Sequence, residues 1–342
     1  MISKGGTTAD DAAAVIDQFA RLRFDVALGP LKAYLDDPRV QNVNVNGDGR
    51  MWIDYGAGGK DSGPPMDRAK RETLIGLLAN RQHASIDHLH SRLAGDLPYY
   101  DVRFQAFAPP VGDWALCLRC HATEVLPLEK MLTRVERGLT PVDPTHDVRS
   151  AIAAQANMAI VGRPGAGKTT WLNSALHYAA QTRPTARLVT LEDRRELKPS
   201  HDDTLQLYAR VEQARPDGTR YEYGFVDLLA DALRSSFDVM AFGELRDAES
   251  ALALLMALNC GTSGLMFTLH ADSARDALLR LEDLVRLANV PVIRRTISRF
   301  VNVVVFLAMT DDRQRGVAEM IRVCGVDGDD AYVIEEIGAA MP

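Results

Sequence analysis

The 342-residue sequence predicts an α/β protein in two parts, a smaller α+β domain followed by a larger domain built on a mainly parallel sheet. Three observations carry this. From Val148 onward, short apolar runs alternate with helical stretches, which implies parallel strands joined by crossover helices. Upstream, alternating segments flank tight turns, as in antiparallel hairpins. Between the two, 136–144 holds one Gly and two Pro with little apolar periodicity, and it reads as a linker. The expected boundaries are 1–135 for the first domain, 136–147 for the linker and 148–342 for the second domain.

In the first domain, Val15, Ile16, Phe19, Leu22 and Val26 recur at helical spacing and predict a helix over 10–35, interrupted at Gly29-Pro30. Alternating apolar residues over 43–53 flank the tip Asn46-Gly47-Asp48-Gly49, a hairpin signal. Residues 56–65 read as a Gly- and Pro-rich loop, and 67–80 as a helix burying Leu74, Leu77 and Leu78. Strands follow over 100–107 and 114–122, separated by the Pro109-Pro110 turn. In the second domain, helices are expected over 151–156, 171–180, 225–235 and 247–259, the last closed by Gly261. Strands are expected over 158–161, 187–191, 239–242 and 265–269.

The most informative stretch is Gly162, Arg163, Pro164, Gly165, Ala166, Gly167, Lys168, Thr169 and Thr170. It fits the phosphate-loop pattern G-x-x-x-x-G-K-[ST], with a buried-strand run before it and a Gly- and Pro-free helix after it. Glycines let the backbone approach phosphate. The loop amides and the helix N-terminus then form an anion cradle. Lys168 is placed for the β- and γ-phosphates of ATP, and the Thr169 hydroxyl for Mg²⁺.

In sheets of this kind, ligands sit at the carboxyl ends of strands. Three polar residues stand at such ends: Glu192, Glu244 and His270. Glu244 follows Val-Met-Ala-Phe-Gly, where an acid that orients or deprotonates water belongs. Glu192 is a second acid for that water or metal, and His270 a group that can hydrogen-bond the γ-phosphate. Any one of them alone reads better as a polar cap on the next turn. Three in order on successive strands favour a functional role.

Hydrophobic content of 46% and charged content of 25% are ordinary for a globular protein, and the net charge of −7 argues against a uniformly basic nucleic-acid surface. No run approaches the roughly 18 apolar residues of a membrane span; 300–309 is the longest candidate. With no apolar signal region at the start, the sequence predicts a cytoplasmic protein. Four cysteines suit a reducing compartment. Cys117-Leu118-Arg119-Cys120-His121 matches a haem-attachment pattern, but the same segment alternates like a strand and has no second ligand pair at zinc spacing. His83, His88 and His90 lie close together without a clear carboxylate or cysteine, and read as solvated loop residues.

These motifs together resemble the secretion ATPase superfamily of type II and type IV secretion, and most closely the conjugal-transfer, TrbB-like ATPases. The resemblance rests on Asn44 through Trp52, on Leu97 through Arg103 and on the Ala108-Pro109-Pro110-Val111 turn. In the second domain it rests on Leu191 through Leu197, which looks like the Asp box, and Phe242 through Asp247, which looks like the Walker B segment. Thr262-Ser263-Gly264 and Thr268 through Ala274 look like the His box. The resemblance implies a RecA-like second domain and a homohexameric ring that hydrolyses ATP with Mg²⁺. It implies partners among inner-membrane secretion proteins, at the inner face of the bacterial inner membrane. It assigns Glu192 to the Asp box, Glu244 to hydrolysis and His270 to γ-phosphate sensing, and it adds Arg103 and Arg119 as phosphate contacts. The function implied is a motor for conjugative pilus assembly and DNA or protein export. The alternatives are a pilus-retraction or type II secretion ATPase, and a nucleotide-gated docking scaffold with negligible turnover. Arg163-Pro164 and Phe237 depart from the family pattern.

Overall fold

A computed structural model describes residues 9–120, 125–132, 145–211, 222–291, 294–310 and 315–337. The chain divides into two compact units, Met1–Thr123 and Glu124–Pro342. The expected linker lies mostly outside the described residues, as does His121.

The first unit contains helices α1 (Ala9–Leu28), α2 (Leu31–Leu35) and α3 (Arg68–Arg81). Its strands are β1 (Asn42–Val45), β2 (Met51–Asp54), β3 (Lys60–Gly63), β4 (Arg92–Asp96), β5 (Val102–Phe107) and β6 (Ala115–Cys120). Among the described residues these strands form one antiparallel sheet in the order β3-β2-β1-β6-β5-β4. The expected hairpin is β1–β2, with Val45 opposite Met51. The residues of 102–107 alternate buried and half-buried, so Val102, Phe104 and Ala106 join Val43, Ile53, Leu116 and Leu118 in one core. The Asp67 carboxylate accepts from the Lys70 amide at 2.9 Å and caps α3.

Two expectations need correction here. The loop over 56–65 contains β3, an edge strand of sequence Lys-Asp-Ser-Gly. An edge strand with no buried side chain carries no apolar alternation to read. The apolar stripe used to predict α1 is not its buried side: Phe19, Leu22 and Val26 are 63%, 59% and 74% exposed, while Phe24 and Leu28 fill the core. A buried cation ties the turns of this sheet together. Arg71 is 4% exposed, and its Nη1 lies within 2.8–3.3 Å of the carbonyls of Asn46, Gly47, Asp113 and Trp114.

The second unit contains α4 (Leu128–Met131), α5 (Thr145–Ala153), α6 (Lys168–Thr182), α7 (Phe225–Ala232), α8 (Ala248–Asn259), α9 (Ala274–Leu287) and α10 (Arg294–Phe300). Its strands are β7 (Met158–Gly162), β8 (Leu188–Glu192), β9 (Thr204–Tyr208), β10 (Arg210–Val211), β11 (Glu222–Tyr223), β12 (Val239–Leu245), β13 (Met266–Leu269), β14 (Val303–Met309), β15 (Arg315–Val326) and β16 (Tyr332–Glu336). Among the described residues, eight of them order as β16-β15-β14-β7-β13-β12-β8-β9. The run from β14 to β9 is parallel throughout, and β15 and β16 extend it antiparallel.

Successive residues of a strand point to opposite faces, and here both faces are buried. Val161, Leu191, Phe242 and Phe267 pack with α7, α8 and α9 on one side. Met158, Ile160, Leu188, Val239 and Ala241 pack with α5 and α6 on the other, around the fully buried Trp171. The apolar run at 300–309 is β14, which pairs with β7 and needs its apolar residues for burial on both faces. No helix among the described residues is long and apolar enough to cross a membrane. The helix expected over 151–156 is α5, ending earlier; Gln155 has φ 54°, which no continuing helix allows.

Candidate active site

Every strand of the parallel run that bears a candidate residue ends at the same edge of the sheet. There β7 passes into 162–167 and α6 begins at Lys168. Gly162 has φ 155°, and a Cβ at this position would lie 2.5 Å from the Leu307 carbonyl oxygen of β14. Only glycine lets the loop leave the strand so close to its neighbour. Gly167 caps α6 in the left-handed region at φ 92°, which turns the first amides of the helix toward the loop. Ala166 is buried beneath the loop, Arg163, Pro164 and Gly165 are exposed, and Thr170 is half-buried.

Lys168 is 7% exposed, and its charge is met inside the site. Its Nζ donates to His270 Nδ1 at 2.9 Å and lies 3.9 Å from Glu244 Oε1. His270 Nε2 is 2.7 Å from the same Glu244 oxygen. Burial, then the charge of Lys168, holds the His270 imidazole below its ordinary range, against the pull of Glu244. A neutral ring that accepts at Nδ1 carries its proton on Nε2 and donates it to Glu244. The 3.2 Å approach of Nδ1 to the Gly162 carbonyl is then a contact, since a lone pair cannot donate to a carbonyl.

Glu192, Glu244 and His270 therefore diverge in what they can do. His270 and Glu244 face Lys168. Glu192 is fully buried at the end of β8, where its Oε1 accepts from the amides of Glu196 at 2.9 Å and Leu197 at 2.8 Å. Its Oε2 has no hydrogen-bond partner among the described residues, and burial pushes its carboxyl up to about 7. These bonds make Glu192 the group that shapes the turn after β8. The residue this turn delivers to the loop is Glu196, whose Oε2 accepts from the Thr169 hydroxyl at 3.2 Å.

Arg246 was also outside the residues expected from sequence. Its Nε donates to Glu244 Oε2 at 2.5 Å and its Nη1 to Asp193 Oδ2 at 3.1 Å. A signal existed: Arg246 stands two positions after Glu244, on the same side of an extended chain. Beside the loop, Arg163 Nε donates to Asp272 Oδ1 at 2.7 Å, at one rim of an open cavity of about 300 Å³ that His270, Asp276 and Arg280 also line.

Arg103 and Arg119 lie in the first unit, directly opposite one another on β5 and β6. They share the open sheet face with Asn42, which pairs with Arg119, and Asp96, which pairs with Arg103. Cys117 is exposed on that same face, and Cys120 is partly buried. His83, His88 and His90 are exposed. Among the described residues no group of three His, Cys, Asp or Glu side chains has the geometry to hold a metal ion.

The residues around the loop suit a nucleotide's phosphates with a divalent cation. Nothing lies within 4 Å of where a Gly165 side chain would stand, so the loop mouth is open. A buried lysine sits below it, and a threonine hydroxyl backed by Glu196 stands beside it.

A family model described as "Type II/IV secretion system protein" matches residues 109–319. The chain is 31% identical over 292 residues to a protein of Sinorhizobium fredii described as a probable conjugal transfer protein TrbB, covering 84% of this chain and 85% of that one. It is 31% identical over 294 residues to the conjugal transfer protein TrbB of Rhizobium radiobacter, covering 85% and 86%. Among solved structures, the fold resembles that of the Legionella pneumophila ATPase DotB, with a TM-score of 0.60 at 18% identity over 88% of this chain and 80% of that one. It also resembles the pilus retraction motor PilT with bound ADP, with a TM-score of 0.57 at 17% identity over 93% and 83%. With its phosphate loop, its strand-end acids and relatives along most of its length, the chain belongs to the type II/IV secretion system protein family.

Proposed function

We propose that this protein hydrolyses ATP to ADP and phosphate, and that a homohexamer of it drives conjugative pilus assembly and DNA or protein export in a type IV secretion system. It would work with inner-membrane secretion proteins at the inner face of the bacterial membrane. One observation carries the reading: Lys168, His270 and Glu244 converge at the mouth of the phosphate loop, each within 4 Å of the next. Kinship with the TrbB proteins supports the conjugative setting.

The chemistry follows from this cluster. In the absence of phosphate, Lys168 is neutralised by Glu244 and held by His270. An entering γ-phosphate carries more negative charge than the single carboxylate and draws the ammonium group away. His270 then loses its donor at Nδ1, while Glu244 loses a cation beside Oε1 and can accept a proton from water. A Mg²⁺ ion held by Thr169 would offset phosphate charge. The amides of 163–168 and the N-terminus of α6 bind and orient the phosphates. Glu244 orients the attacking water. Glu192 acts through the turn it shapes, which presents Glu196 to Thr169. The family resemblance carries a phosphate-binding role to Arg103 and Arg119, which pair on β5 and β6 of the first unit.

Steady-state phosphate release on the assembled protein tests the reading. Lys168→Ala should abolish turnover and weaken nucleotide binding without unfolding the chain. Glu244→Gln should still bind ATP and lose turnover by ~10²-fold or more. Wild-type phosphate release in either variant refutes the assignment.

A further inference from the structure

Both oxygens of Glu244 are held, but by partners of different permanence. On the Oε1 side stand His270 at 2.7 Å and Lys168 at 3.9 Å, the two groups that respond to phosphate. On the Oε2 side stands Arg246, which closes on that oxygen through both Nε and Nη2. Arg246 does not depend on Glu244 for its position. Its Nη1 is tethered to Asp193, which follows β8, the strand hydrogen-bonded to β12. A planar guanidinium can hold two carboxylates at once in fixed directions, which a lysine ammonium cannot.

This arrangement matters when phosphate binds. Lys168 must leave Glu244 to meet the γ-phosphate. A carboxylate with no other tether would follow the lysine and turn away from the water. We propose that Arg246, anchored by Asp193, is the positioning residue that keeps the Glu244 carboxylate in place for the attacking water once Lys168 has moved. The proposal rests on the reading of this site as a centre of ATP hydrolysis. Arg246 serves a second purpose in the same position. Glu244 is faced by His270 after β13, Lys168 of α6 and Arg246, and the carboxylates of Asp193 and Glu196 face Arg246 from the turn after β8. Without the guanidinium, the carboxylates of Glu244 and Asp193 lose the cation they share, although Arg194 still stands 3.6 Å from Asp193.

Phosphate release by the full chain with saturating Mg·ATP, beside the binding of a fluorescent ATP analogue, tests the proposal. Arg246→Met should lower kcat by about 10- to 100-fold with nucleotide affinity nearly unchanged. The ATP concentration at half-maximal rate should stay near that of the wild type, so that the loss falls on kcat and not on KM. Arg246→Lys restores the charge but not the fork, so it should leave kcat low. Asp193→Asn should lower kcat too, with nucleotide affinity again nearly unchanged, because it weakens the anchor of the guanidinium. An Arg246→Met enzyme with wild-type kcat, or one that loses only nucleotide affinity, overturns the proposal. So does an Arg246→Lys enzyme with full kcat, which would make charge alone sufficient. Absence of phosphate release by the wild type instead refutes the hydrolysis reading, and this role with it.

Discussion

Replacing Glu192 by Gln separates the turn-shaping role of this residue from a role in chemistry. Glu192 is fully buried, accepts two backbone amides at Oε1 and has its carboxyl pushed up to about 7 by burial, against 4.5 for the free group. A carboxyl whose pKa is raised by folding favours the folded state fully below its unfolded pKa. That contribution is lost as the pH rises through the folded value. Over this window the second unit should lose up to about 3 kcal/mol of stability, at about 1.4 kcal/mol for each tenfold change in proton affinity on folding. Glu192→Gln keeps an acceptor for both amides and has no proton to lose, so its stability should be nearly flat over the same window. Urea denaturation between about pH 5 and about pH 8 measures this. Trp171, in the second unit, reports the transition once Trp52 and Trp114 of the first unit are changed to Phe. The variant should be the more stable protein at the upper end of the window. Its phosphate release should fall far less than that of Glu244→Gln. Equal pH slopes in the two proteins, or a loss of turnover matching Glu244→Gln, would refute the reasoning.

Two further outcomes are expected. Gly162→Ala should destabilise the second unit by about 2 kcal/mol or more, seen as a lower thermal midpoint, because the new methyl group would meet the Leu307 carbonyl at 2.5 Å. Arg119→Ala should lower phosphate release by about tenfold or more while leaving the nucleotide-free thermal midpoint nearly unchanged, since exposed arginines contribute little to stability; unchanged turnover would remove Arg119 from the nucleotide's contacts.

The parts of the structure that the sequence predicted are those where local chemistry and tertiary context agree. The phosphate loop is spelled by glycines whose backbone angles nothing else allows, and the strand before it is a plain apolar run. The Asn46–Gly49 tip needed only its turn residues to be recognised. β14 was harder, because a strand buried on both faces loses its alternation and resembles any apolar segment. β3 was harder for the opposite reason, as its side chains are not buried at all. In α1 the helical period was legible but the buried side was not, since Phe19, Leu22 and Val26 share the spacing that Phe24 and Leu28 use for the core. At the site, position along the strands located Glu244 and His270 but could not distinguish an acid that faces the loop from one folded beneath it. Glu192 and Glu196 are four residues apart, and only the path of the turn decides which one meets Thr169.

The four carbonyls gathered around Arg71 have a consequence for how the protein responds to acid. A guanidinium remains protonated across the accessible range, and carbonyl oxygens do not titrate. The knot joining the 46–49 tip to the 113–114 turn is therefore indifferent to pH, whereas the turn after β8 is fastened by a carboxyl that changes charge near neutrality. Mild acid or alkali thus acts unevenly along the chain. It changes the charge in the turn carrying Asp193 and Glu196 while leaving the Arg71 contacts as they are, so the 46–49 tip can serve as an internal reference for a pH titration.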